Sequence, residues 1–113
     1  MAMVAAARRT RGTPHERRNE LLRPSPHLGY AEDRIGAHLM KCEAYQPAER
    51  FFRLAVWLNP YEPHFRLHLA HSLVEQRQFA DAAKILREIL DDQPGFEPAR
   101  GLLLRCERQM PKP

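Results

Sequence analysis

Cysteine is nearly missing from this 113-residue chain: Cys42 and Cys106 stand far apart in the sequence, without the spacing of a metal knuckle or a redox pair. Both are expected to be reduced thiols, which points to a cytoplasmic protein. Long apolar runs are missing too, since no stretch approaches the roughly 18 to 20 residues that cross a bilayer. The short apolar opening, Met1 to Ala7, is followed rather than preceded by arginines, so neither secretion nor membrane insertion is expected. The length fits one small domain and leaves little room for a large catalytic cleft with a separate cofactor domain. Nor is there a nucleophile beside a base. Ser72 follows His71 but falls on another helical face, Cys42 is read as standing at a helix end with no histidine near it, and Asp91 and Asp92 close a helix as a solvated pair. No enzyme and no cofactor are expected.

The net charge of +4 is confined to one end. Residues 1–28 carry Arg8, Arg9, Arg11, Arg17, Arg18 and Arg23 against Glu16 and Glu20, whereas the rest of the chain holds twelve bases and twelve acids. The body has no basic excess to grip phosphates, so nucleic acid is not expected as a partner except through this arm. A basic, partly disordered arm is expected over 1–28. The acids interrupt its resemblance to an organellar transit peptide. Within it, Thr13, Pro14 and Glu16 form a capping-box pattern that predicts a short helix over 14–23, ended by Pro24.

What the chain does contain is a period. Pro26, Pro60 and Pro94 are evenly spaced, and the same offset sets Ile35 on Leu69, Gly36 on Ala70, Leu39 on Leu73, Tyr45 on Phe79, Ala48 on Ala82 and Phe52 on Leu86. Within each unit apolar residues recur twice at helical spacing, so each repeat is a pair of helices. Helices are expected near 30–42, 47–59, 63–76, 79–92 and 97–109, with Pro47, Pro63 and Pro98 in first turns and Pro60 and Pro94 at helix ends. The predicted architecture is all-α, a short solenoid of antiparallel helix pairs. Repeats occupy 29–62 and 63–96, a capping helix 97–109 and a tail 110–113. Glu107 falls where a further pair would need an apolar contact, which marks the last helix as a cap. Two repeats are fewer than the roughly three such stacks usually need, so caps or self-association must complete the core. A decayed half-repeat in the arm would serve as the N-terminal cap.

Gly36, Tyr45, Ala48, Phe52, Ala55 and Pro60, and again Leu69, Ala70, Phe79, Ala82 and Pro94, fall where the tetratricopeptide repeat family places its small, aromatic, aliphatic and proline positions. The chain resembles that family over 29–109. It departs from the pattern at Glu32 and Arg66, in place of tryptophan, at Leu39 and Leu73, in place of tyrosine, and at Ile89, in place of a small residue. Small residues at helix crossings let the axes approach, and Tyr45, Phe52 and Phe79 are expected to fill the wedges between helices.

The resemblance implies a concave face, lined by the first helix of each pair, that holds a partner peptide or helix. It assigns to that face Tyr30, Asp33, Arg34, Ala37 and Lys41, then His64, Leu67, His68, His71 and Glu75, with Arg105 and Arg108 from the capping helix. Asp33 and Ala37 do not match the lysine-and-asparagine clamp with which some members hold a chaperone's terminal carboxylate. The expected function is a cytoplasmic protein-interaction adaptor or chaperone-like module.

His64, His68, His71 and Glu75 lie within about one 60° stripe at about 100° per residue. His64 and His68, joined by Asp33 from the neighbouring helix, provide an alternative reading as a metal-binding protein. A lining of histidines would also make partner affinity vary between about pH 5 and 8. A weaker alternative is an RNA-binding adaptor acting through the arginine arm. A second candidate interface joins Phe51, Leu54 and Trp57, which share one helical flank; the arm's Leu21 and Leu22 are the competing cover for it.

Overall fold

The computed structural model describes residues 27–111. The arm helix expected over 14–23, with Leu21 and Leu22, lies outside them. Five helices follow one another: α1 (Tyr30–Lys41), α2 (Tyr45–Leu58), α3 (Pro63–Glu75), α4 (Phe79–Asp92) and α5 (Glu97–Gln109). Each packs against the next, with lighter contact between α1 and α3 and between α3 and α5. The first helices of the pairs therefore form one layer, backed by α2 and α4. Among the described residues no strand occurs, as in a tetratricopeptide-like helical solenoid.

The sequence period is written into the backbone hydrogen bonds. After α1, the Ala44 N–H donates to Leu39 O (2.9 Å) and the Glu43 N–H to Met40 O (3.0 Å); after α3, Gln78 donates to Leu73 O (2.9 Å) and Arg77 to Val74 O (2.9 Å). This is the Schellman closure, which turns one residue left-handed. Glu43 (φ 60°) and Arg77 (φ 61°) take that conformation at corresponding positions, although neither is glycine.

One helix boundary differs from the expectation. α2 begins at Tyr45, so Pro47 is its third residue rather than its first. The first intrahelical bond runs from the Ala48 N–H to Ala44 O, and Pro47 lacks only an N–H that would have no helical acceptor. Pro63 is the first residue of α3 and Pro98 the second of α5, where the same reasoning holds.

Helix crossings depend on small residues. A Cβ placed on Gly36 would stand 2.5 Å from the Phe52 ring, which explains why glycine faces this buried aromatic. Ala48, Ala70 and Ala82 have no exposed surface, and Ile89 is fully buried despite its size. Phe52 fills a wedge, whereas Tyr45 and Phe79 are only half-buried, because each is the first residue of its helix. Cys106 is buried in the core, where desolvation pushes its thiol above the ordinary range and leaves it a small apolar side chain. At the C-terminal end Glu107 is exposed and lies 3.7 Å from Arg87 of α4, which ties the last helix back to its neighbour.

Candidate partner-binding groove

Four of the residues expected on the concave face join helices to one another. Glu62 is the N-cap of α3: its Oε1 accepts the His64 backbone N–H (3.1 Å) and meets His64 Nδ1 (2.8 Å). Its Oε2 accepts the Tyr30 hydroxyl of α1 (2.6 Å). Burial raises the Glu62 carboxyl, but the bonds from Tyr30 and His64 outweigh it and hold the group below its ordinary value. The same hydrogen bond to Glu62 raises the Tyr30 hydroxyl. The Tyr30 ring meets Phe65 edge-on at 4.9 Å, and His64 meets Phe96 at 5.2 Å.

Asp33 and His68 do come together, with Oδ1 and Nδ1 2.7 Å apart, and the imidazole leans on the Phe52 ring at 5.6 Å. His64 does not join them, because its Nδ1 is turned to Glu62. Among the described residues no three His, Cys, Asp or Glu side chains converge to hold a metal ion, so the proposed His64, His68 and Asp33 set is not assembled. The Asp33–His68 pair binds α1 to α3 instead, while His64 stays with the cap of its own helix.

The open part of the concave face lies one step further along, between α3 and α5. A depression of about 410 Å³ is lined by Leu67, His68, His71, Pro98, Gly101, Leu102 and Arg105. A second, of about 470 Å³, shares Arg105 and continues over Val74, Glu75, Arg77, Phe79, Arg108 and Gln109. Thus Leu67, His68, His71, Glu75, Arg105 and Arg108 of the expected face line the two adjoining depressions. Arg34 and Lys41 are exposed on α1 and line neither. His71 Nε2 lies 3.6 Å from Glu75 Oε1.

Sequence reasoning missed Val74, Arg77 and Phe79 as lining and, on α5, Pro98, Gly101, Leu102 and Gln109. Stepping the period once more, from His64, Leu67, His68 and Glu75, reaches the four on α5. It also missed a pair on α1: Cys42 does have a histidine near it in sequence, His38 one turn earlier, with Sγ and Nε2 3.8 Å apart. On the outer face Trp57 is 78% exposed, Leu54 42% and the adjoining Tyr61 76%, while Phe51 is half-buried.

Among the described residues no helix is long and apolar enough to cross a membrane. No curated protein and no solved structure matches the chain. A family model described as tetratricopeptide repeat matches residues 38–106, more than half of the sequence, from the second half of α1 into α5. Paired helices at a constant period, identical turn closures and small residues at the crossings agree with that match: the chain belongs to the tetratricopeptide repeat family.

Proposed function

We propose that the protein is a non-enzymatic adaptor or chaperone-like module that holds a peptide or helix of another protein in the groove between α3 and α5. Members of its family are protein-interaction modules. The observation that carries the reading is the continuous pair of depressions joined at Arg105, with an apolar floor at Leu67 and Leu102 and polar walls at His71, Glu75 and Arg108. A shallow open groove of this composition suits an extended or helical segment better than a small substrate, which is usually enclosed on most sides. The arm at 1–28, with its arginine excess, is assigned no part in this contact.

The test is affinity capture from the source cell with the full chain, run beside a His71→Ala/Arg105→Ala variant. Both side chains are exposed and neither joins the helices, so the melting point should stay unchanged. A binder captured by the parent chain and lost from the variant is the expected result. If every captured protein binds both forms equally, the groove is not the working surface.

A further inference from the structure

We infer that the occupant of this groove is an acidic, amphipathic protein segment that sets an apolar side chain over Gly101, between Leu67 and Leu102, and its carboxylates against Arg105 and Arg108. The inference rests on the groove reading above and adds the chemistry of the partner.

Arg53, Arg66, Arg87 and Arg100 each lie within ion-pair distance of a carboxylate, on Glu49, Asp92, Glu107 and Glu97, and none of the four lines either depression. Arg77, Arg105 and Arg108 line the depressions, and among the described residues none of the three has a carboxylate within 4.0 Å; Arg34 and Arg50, on α1 and α2, are likewise without one but stand apart from the groove. Glu75, the one acid in the lining, is already beside His71. Three fixed positive charges therefore gather at one end of an apolar-floored groove against the single carboxylate of Glu75, and a segment of opposite sign complements the excess. The floor supplies the anchor point: nothing stands within 4 Å of where a Cβ on Gly101 would lie, so a notch opens on the helix between its aliphatic neighbours. The chain's own arm is excluded as occupant by sign, because residues 1–28 carry six arginines against two acids.

The test is a phage-displayed library of random dodecapeptides panned against the full chain, with the affinity of the enriched peptides measured at low and high salt. The expected peptides are acidic with a large apolar residue. Arg105→Glu/Arg108→Glu should weaken them about 10-fold or more at unchanged melting point, while Lys84→Glu on the outer helix α4 should leave them alone. Their affinity should also fall between about 50 and 500 mM NaCl, as an exposed charge contact does. Gly101→Trp fills the notch and should block binding, since the site has room for the side chain. Neutral or basic peptides that are blocked by Gly101→Trp would overturn the acidic partner and leave the groove standing. An empty selection, or peptides indifferent to both Gly101→Trp and the double charge reversal, would overturn the groove reading as well. Peptides outcompeted by the protein itself at high concentration would replace the acidic partner with a second copy of this chain.

Discussion

Leu69 in α3 is 4% exposed; Ile35, its counterpart one repeat earlier in α1, is 44% exposed. The two helices have the same length to within one residue and the same C-terminal closure. Yet α3 buries Phe65, Leu69, Ala70, Ser72, Leu73 and Val74, whereas α1 buries only Gly36. The difference is one of neighbours. Among the described residues α3 is flanked by α2 and α4 and touched by α1 and α5, while α1 packs on α2 and lightly on α3. Burial in a stacked array is thus set by position in the stack, and an apolar residue of the right class stabilises only where a neighbour reaches it. The outer layer differs in the opposite way. Leu54 and Trp57 of α2 correspond to Glu88 and Asp91 of α4, so the first pair is apolar on a flank where the second is charged.

The largest expected effect tests that positional rule directly. Leu69→Ala removes a buried side chain with contacts on several sides and should cost about 2 to 5 kcal/mol in urea unfolding, while Ile35→Ala should cost less than about 1. Equal losses at the two positions would mean that the face of α1 carrying Ile35 is covered in solution.

A smaller effect separates the two crossings. The first pairs Gly36 with Phe52, and the corresponding positions in the second repeat are Ala70 and Leu86, all buried. Gly36→Ala drives a Cβ into the Phe52 ring and should cost about 1 to 3 kcal/mol, even after the roughly 1 kcal/mol that alanine gains over glycine within a helix. Adding Phe52→Leu recreates the second repeat's combination, and the double variant should be more stable than Gly36→Ala alone. If it is less stable, the two crossings differ in backbone separation and not only in side-chain volume.

The capping of the two junctions also differs. Glu62 caps α3 and accepts a bond from Tyr30, whereas its counterpart Phe96 caps α5 with no side-chain bond. A carboxyl held below its ordinary value of 4.5 contributes stability above that pH and loses it as pH falls through the folded-state value. Glu62→Gln should therefore lower stability near neutral pH by less than about 1 kcal/mol, with the gap to the parent chain closing as pH falls below 4.5 and through the folded-state value. A gap that stays constant from pH 7 to about pH 3 would show that the charge of Glu62 plays no part.

The five helices are legible in the sequence because proline and apolar spacing act locally, in first turns and on helix faces. Two features of the turns are not. Glu43 and Arg77 adopt the left-handed conformation that glycine would announce, and the hydrogen bonds that hold them there involve residues of every type. Pro47 draws the expected start of α2 too late, because a proline in the third position is as harmless as one in the first. The candidate groove is half legible. Arg105 and Arg108 are recognisable from the resemblance, and the period leads on to Gly101 and Leu102 once the capping helix is treated as the first half of a third repeat. The closeness of Asp33 and His68 is legible as well. What sequence does not reveal is that a ring nitrogen and a carboxylate so placed bond to each other, and that His64 turns away to the cap of its own helix.

The smallest expected effect concerns the outer flank. Trp57→Glu gives α2 the acidic character that α4 already has at Asp91. With 78% of its surface exposed, Trp57 contributes little to the described fold, so the substitution should shift stability by no more than about 0.5 kcal/mol. Its emission, as the chain's single tryptophan, should be that of an indole in water. Comparing parent and variant across protein concentration then asks what this flank is for. An emission maximum that moves to shorter wavelength as concentration rises, together with a melting point that rises in the parent alone, would mean that copies meet through Leu54 and Trp57. Concentration-independent values in both forms, with emission typical of an indole in water, would leave the flank free for another protein.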